Sequence, residues 1–205
     1  MKKIAVFSGW GYPADFYNFL KEYFDEIEII NIYSNVAKVK ADVILAWSMG
    51  TLNLFLNSEK IESDKIILIA PTFNFMSSVH PSYIKAMLRK IKTNKKELLT
   101  DFYKINFYYE KKLFEFLEKY LESGLKQSEM ELESGLKFLM NTVIEKEILF
   151  KGKTVVISGE NDNVIPNKIS KEVADKLNCE FISLKDTGHN VIAERKSELI
   201  EILRR

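Results

Sequence analysis

The sequence predicts an α/β fold: a doubly wound, mostly parallel sheet of about six strands, with helices on its faces and a helical insertion. Apolar runs of strand length recur along the chain, and amphipathic helical patterns separate most of them. Between Pro71 and Phe150 long helical periodicity replaces this alternation. Because 205 residues can bury a substantial core, we expect a single domain over residues 1–205, with the insertion at about 72–148.

The predicted strands are short apolar runs bounded by turn or charged residues, which is typical of buried parallel strands. They cover residues 3–7, 28–32, 43–47, 66–70, 154–158 and 180–184. The predicted helices that flank the sheet cover residues 14–24, 51–56, 167–177 and 193–204. In a sheet of this kind, functional residues collect at the carboxyl ends of the strands.

The predicted insertion has two distinctive sets of side chains. Apolar residues at helical spacing predict helices packed on the body, or alternatively the lining of an acyl-binding pocket. This stripe consists of Phe102, Ile105, Tyr109, Leu113, Phe116 and Tyr120. Between Pro81 and Lys96 there is no acid, and the cluster of basic residues is either a solvated helix face or a docking patch for an acidic partner. The cluster consists of Lys85, Arg89, Lys90, Lys92, Lys95 and Lys96.

Composition limits the possible partners and compartments. A hydrophobic content of 46% and a formal net charge of +1 argue against disorder and against bulk nucleic-acid binding. The single cysteine, Cys179, excludes an internal disulfide framework and is expected to pack as a small apolar residue. The apolar run at residues 4–7 is too short for a secretion signal, and no run approaches the roughly 20 residues of a spanning helix. We therefore expect a soluble, cytoplasmic protein without a membrane partner.

Ser48 lies where the third predicted strand passes into a helical pattern, with the small residues Ala46 and Gly50 on either side. A serine between a strand and a helix, with small neighbours, predicts a nucleophile elbow, a sharp and strained turn. Ala46 stands where such elbows usually have their first glycine. The alternative interpretation is an ordinary turn serine.

A serine nucleophile needs a base that a third group orients. Of the two histidines, His189 follows the last predicted strand, whereas His80 at the start of the insertion is expected to be a surface or capping residue. The acid is expected in the loop 159–166, where the Gly-x-x-Asp-x-x-Ile-Pro spacing favours Asp162 over Glu160. Serine, acid and histidine each follow a predicted strand, and together they predict a catalytic triad.

Attack by a serine also requires donors for the oxyanion. The N–H group of Met49, directly after the serine, is the first candidate. The N–H group of Trp10 is the second, because Gly9 and Gly11 on either side allow close approach of the backbone to a substrate. The Trp10 side chain is expected to serve as a core aromatic, which is compatible with a backbone role.

These segments resemble one family along the whole chain and in the same order: the α/β-hydrolases that cleave pimeloyl-acyl-carrier-protein methyl ester in biotin synthesis. The matching segments are Ser8-Gly9-Trp10-Gly11, Ala46-Trp47-Ser48-Met49-Gly50, residues 159–166 and Gly188-His189. Many hydrolases have histidine at the position of Ser8. A serine at this position resembles a shorter, compact branch of these esterases.

The resemblance implies an α/β-hydrolase fold and a serine carboxylesterase with Ser48 as nucleophile. It also implies a helical cap whose basic residues receive the phosphorylated arm of an acyl carrier protein. No metal or organic cofactor is implied. The alternatives are a general short-chain esterase or a thioesterase, and a non-catalytic binding protein on the same fold.

Overall fold

The computed structural model describes residues 2–32, 34 and 36–204. Its strands are β1 (Lys3–Phe7), β2 (Glu26–Ile30), β3 (Val39–Lys40), β4 (Val43–Trp47), β5 (Ile61–Glu62), β6 (Lys65–Ile69), β7 (Lys153–Gly159) and β8 (Glu180–Leu184). Within the described residues, a six-stranded parallel sheet has the order β2-β1-β4-β6-β7-β8, and β3 and β5 form a separate short pair. This topology confirms the predicted doubly wound, parallel α/β architecture.

Helices pack on the sheet, and further helices form the segment of chain between β6 and β7. They are α1 (Met49–Leu56), α2 (Pro81–Thr93), α3 (Lys95–Asn106), α4 (Glu110–Leu125), α5 (Glu129–Asn141), α6 (Asn167–Leu177), α7 (Val191–Glu194) and α8 (Lys196–Arg204). Helices α2 to α5 all fall between β6 and β7, the region where the insertion is predicted, and we call this region the cap. None of the helices described is long and apolar enough to cross a bilayer.

The central strands are mainly apolar, and β4 is apolar throughout, because helices cover both faces of the sheet. All five residues of β4 are buried. The edge strand β2 is different, and its prediction at residues 28–32 is two residues too late. Glu26 and Glu28 both pair with the Lys3 ammonium at 2.8 Å, while Ile27 packs against the core. Charged and apolar residues therefore alternate at the start of β2, and a continuous apolar run does not mark where this strand begins.

Two predicted helices also differ in detail. The segment predicted as a helix at 14–24 is a 3₁₀ helix over Ala14–Glu22, which buries Phe16, Tyr17 and Leu20. The apolar spacing indicated the buried face but did not distinguish between the two helix types. The predicted helix 193–204 is two helices, because the backbone leaves the helical conformation at Arg195 with φ −127° and ψ 43°.

The apolar stripe of the cap is divided between two helices. Phe102 and Ile105 belong to α3 and line a cavity, whereas Phe116 on α4 is 3% exposed and packs among other aromatic rings. Tyr109 lies between the two helices and is 39% exposed, so it is not part of the packed face. The packing expectation is therefore met by Phe116, while Phe102 and Ile105 line a cavity whose role as an acyl-binding pocket remains a prediction. Cys179 is partly buried and packs against the core, as expected.

Candidate active site

Ser48 occupies the turn between β4 and α1 in a backbone conformation that non-glycine residues rarely adopt. Its φ is 54° and its ψ is −119°, a strained combination. The start of α1 packs directly on the end of β1: a Cβ atom built on Gly50 would lie 2.0 Å from the Phe7 carbonyl oxygen. Only glycine fits at position 50, which explains the small residue of the predicted elbow.

Ser48, His189 and Asp162 form one hydrogen-bonded chain. Ser48 Oγ lies 2.9 Å from His189 Nε2, and His189 Nδ1 lies 2.7 Å from Asp162 Oδ2. The other carboxylate oxygen, Asp162 Oδ1, accepts the N–H groups of Val164 and Ile165 at 2.8 Å. An ionised carboxylate can only accept, so Nδ1 carries the imidazole proton and the Nε2 lone pair faces the serine hydroxyl. All three side chains are buried, and this arrangement can activate the hydroxyl.

Groups that the sequence did not indicate hold the imidazole in place. The indole Nε1 of Trp47 donates to the His189 carbonyl oxygen at 3.1 Å. The Asn190 N–H donates to the Asn106 carbonyl oxygen at 2.8 Å, and the Asn190 amide donates to the Tyr12 hydroxyl at 3.2 Å. Trp47 and Asn190 are chain neighbours of triad residues, and that adjacency is the only signal in the sequence that could have found them.

The other candidates for acid and base lie elsewhere. Glu160 is exposed and accepts a hydrogen bond from the Ser183 hydroxyl at 3.3 Å. His80 is the N-cap of α2, where its Nδ1 accepts the Ser82 N–H, as the capping expectation requires. Neither belongs to a metal site: among the described residues, no group of three or more His, Cys, Asp or Glu could hold a metal ion.

The two predicted oxyanion donors lie on adjacent segments. Because β1 pairs with β4 in the register Phe7 to Ala46, the loop that follows β1 lies beside the elbow. Met49 is the first residue of α1, where helical N–H groups have no intrahelical acceptor. The Trp10 side chain is 4% exposed, and its indole donates to the Leu132 carbonyl oxygen of the cap at 2.8 Å. The side chain is thus the expected core aromatic, and the backbone role remains a prediction.

A largely apolar cavity of about 340 Å³ opens beside Ser48. Helices α2, α3 and α5 of the cap contribute apolar side chains to its wall: Ile84, Met87, Phe102, Ile105, Leu136 and Leu139. His80 and Tyr83, both exposed, also line it and lie toward solvent. The volume lies at the lower end of the roughly 300–1,000 Å³ of small-molecule pockets, so the cavity can hold a short or medium acyl chain.

No family model matches the sequence, and a search of curated proteins finds no match. Solved structures do match over the full chain. An esterase from Exiguobacterium antarcticum has a TM-score of 0.80 at 15% identity, covering 99% of this chain and 90% of its own. A thermophilic esterase from Thermogutta terrifontis has a TM-score of 0.76 at 13% identity (100% and 88%). A hydrolase from Oleispira antarctica has a TM-score of 0.76 at 11% identity (100% and 92%). The chain has the α/β-hydrolase fold.

On this α/β-hydrolase fold, the predicted basic cluster of the cap divides by environment. Lys85, Arg89 and Lys92 are exposed at helical spacing along α2, and we call them the basic stripe. No ion pair joins any of them to another described residue. In contrast, Lys90 pairs with Glu97 at 2.9 Å and Asp101 at 3.0 Å, and these two carboxylates raise its pKa.

The other two members of the cluster belong to α3. Lys95 donates to the Gln127 carbonyl oxygen at 3.0 Å, whereas Lys96 is exposed. The cluster is therefore not a uniform patch. Its exposed charges on α2 are those of the basic stripe, of which Lys92 lies near enough to Glu133 to help lower the pKa of that carboxyl. That stripe lies on the same helix as cavity-lining Ile84 and Met87, which brings positive charge close to the cavity.

Proposed function

We propose that the protein is a serine carboxylesterase. The observation that carries this proposal is the hydrogen-bonded chain from Ser48 through His189 to Asp162, at 2.9 Å and 2.7 Å, beside an apolar cavity. The fold alone is compatible with many activities. A strained serine, an imidazole with its lone pair toward that serine and a buried carboxylate together favour acyl transfer.

In the proposed reaction, Ser48 Oγ attacks the ester carbonyl carbon while His189 Nε2 takes the hydroxyl proton. Asp162 holds the imidazole orientation and stabilises the imidazolium. The N–H groups of Trp10 and Met49 are proposed to bind the negatively charged oxygen of the tetrahedral intermediate. The C–O bond to the alcohol then breaks, and His189 returns the proton to the departing alcohol. Water, activated by the same base, releases the carboxylate and regenerates Ser48.

As the substrate we propose the methyl ester of pimeloyl-acyl-carrier protein, cleaved to free the pimeloyl carboxylate for biotin synthesis. The motif resemblance supports this choice, and so does a cavity that can hold a medium acyl chain. The basic stripe supports a phosphorylated, acidic carrier, because clustered positive charge accelerates encounter with a negatively charged partner. On this proposal the enzyme is cytoplasmic, needs no cofactor, and acts on neither nucleic acid nor membrane.

Ser48→Ala tests the chemistry. We expect a loss of several orders of magnitude in ester hydrolysis with an unchanged circular dichroism spectrum, because the nucleophile is removed without a change in packing. A fluorophosphonate probe should label the wild type and not the variant. The matched control is Ser63→Ala, in the turn between β5 and β6 and far from the elbow, which should keep both activity and labelling. Ester hydrolysis at the wild-type rate by Ser48→Ala would exclude the proposal.

The substrate is tested by comparing methyl pimeloyl-carrier conjugate with p-nitrophenyl butyrate and a butyryl thioester. A general esterase would show equal or higher kcat/KM on the free ester, a thioesterase on the thioester, and a binding protein would turn over none. Charge reversal of Lys85, Arg89 and Lys92 to Glu should raise KM for the conjugate alone. The control reverses the charge of three exposed lysines near the amino ends of the strands: Lys2, Lys21 and Lys151. Equal slowing of both substrates by the stripe variant would remove the docking role.

A further inference from the structure

Glu194 is a buried acidic residue outside the triad, at the end of α7. It is 7% exposed. Its Oε2 accepts the Gly188 N–H at 2.6 Å, and its Oε1 accepts the N–H groups of Tyr108 and Tyr109, each at 2.8 Å. The carboxylate therefore joins the base loop, residues 185–190, to the cap junction, residues 107–109 between α3 and α4. Tyr108 is 86 residues from Glu194 in the chain.

The base loop and the end of α3 are in contact where the carboxylate joins them. A Cβ atom on Gly188 would lie 2.6 Å from the Asn106 carbonyl oxygen and 2.9 Å from the Tyr108 nitrogen. The Asn190 N–H donates to the same Asn106 oxygen at 2.8 Å. His189 lies in the chain between these two contacts, one at Gly188 and the other at Asn190.

The arrangement requires a carboxylate at this position. Its two oxygens supply acceptors to N–H groups on both sides, and bonds of this kind to an ionised acceptor are among the stronger hydrogen bonds in proteins. Burial raises the pKa of Glu194, while the N–H groups of Tyr109, Gly188 and Tyr108 and the charge of Arg195 lower it. An amide in its place keeps one oxygen and turns an NH₂ group toward an N–H donor, which leaves buried donors unpaired.

We propose that Glu194 is a positioning residue that fixes the base loop against the cap, so that His189 Nε2 stays within hydrogen-bond distance of Ser48 Oγ. The helices of the cap thereby help to align the base in addition to covering the cavity. The kinetic consequence rests on the esterase chemistry proposed above. The anchoring of the base loop does not, and it is measured independently.

Glu194→Gln should lower kcat between about tenfold and 100-fold, the effect of displacing a catalytic group by up to 1 Å. KM should stay within about twofold, because Glu194 is not among the residues that line the cavity beside Ser48. The matched control is Glu198→Gln on α8, an exposed glutamate 3.8 Å from Arg195, which should keep the wild-type kcat. A folded Glu194→Gln variant that keeps the wild-type kcat, whether or not its KM is raised, would overturn the proposal.

Hydrogen exchange gives a readout that does not depend on catalysis. In Glu194→Gln, amide protection should fall in peptides covering residues 107–109 and 185–190, and remain in β4 and β6. Unchanged protection in both peptides overturns the anchoring, whatever the activity, and uniform loss across the sheet shows a merely structural role. If the amide variant does not fold, Glu194→Asp keeps the charge on a side chain too short to reach both segments and should give the same pattern. Absent turnover in wild type and in Glu198→Gln would count against the esterase proposal alone.

Discussion

Gly50→Ala tests whether the contact between α1 and β1 holds the nucleophile in place. The added Cβ atom would lie 2.0 Å from the Phe7 carbonyl oxygen and 2.4 Å from the carbonyl carbon. Both are backbone atoms of a buried strand, so neither can rotate away. Because Cβ atoms essentially never approach another atom within 3.0 Å, the start of α1 must move away from β1 by at least about 1 Å.

The magnitude follows from this displacement. Overpacking of this kind costs about 1–3 kcal/mol of unfolding free energy, which lowers Tm by roughly 2–12 °C for a domain of this size. Ser48 and Met49 lie within two residues of Gly50, so the hydroxyl and the proposed oxyanion donor move with it. A misplacement of about 1 Å at a reacting group can reduce kcat/KM on the order of 100-fold.

The assay is ester hydrolysis per folded molecule, measured with thermal unfolding. Gly152→Ala is the matched control, because its Cβ atom would lie 2.2 Å from the Ser63 carbonyl oxygen. This is a similar steric conflict, but it lies at the amino ends of the strands, away from Ser48. It should lose a similar amount of stability and keep its kcat/KM. Wild-type kcat/KM in Gly50→Ala would refute the reasoning, and so would an equal activity loss in Gly152→Ala.

Three further predictions concern the triad, the cavity and the cysteine. Asp162→Asn should keep the fold and lower kcat by about 10⁴, because the amide favours the wrong imidazole tautomer; a decrease below tenfold in active-site-titrated protein would contradict the role. Leu139→Trp should shift the optimum of a p-nitrophenyl ester series to shorter acyl chains. Each methylene excluded from the cavity should lower kcat/KM roughly fourfold, which corresponds to about 0.8 kcal/mol. An unchanged optimum would show that acyl chains bind elsewhere. Burial, with the nearby Asp175 and Glu180, raises the pKa of Cys179 to about 11. Iodoacetamide should therefore alkylate it at pH 8 about 100-fold more slowly than free cysteine, and a rate near that of free cysteine would show that the thiol is not buried.

The elements that the sequence predicted well are those whose pattern is local. Strand β4 is apolar along its whole length and β6 is apolar after its first residue, Lys65, and this pattern needs no knowledge of their neighbours. The edge strand β2 was misplaced because its Glu26 and Glu28 are satisfied by Lys3, which belongs to another strand. A charge that is paired only in the folded molecule looks like a strand boundary in the sequence.

The basic cluster shows the same limit. Six basic residues are equivalent in the sequence, but Lys90 lies between Glu97 and Asp101 on the neighbouring helix. Lys95 is engaged by the carbonyl oxygen of Gln127, 32 residues further along the chain. Which charges remain for a partner depends on how the helices of the cap pack, and helical spacing alone does not contain that information.

The sequence by itself determined which residues form the candidate site, since a serine, a carboxylate and a histidine each follow an apolar strand, and parallel strands bring their carboxyl ends to one edge. Tertiary structure decided the distances between them, the cavity beside Ser48 and the anchoring of the base loop by Glu194. These depend on contacts between segments up to 178 residues apart, such as Tyr12 with Asn190. Contacts over such separations leave no periodicity in the chain, because the groups become neighbours only once the sheet and the cap have packed together.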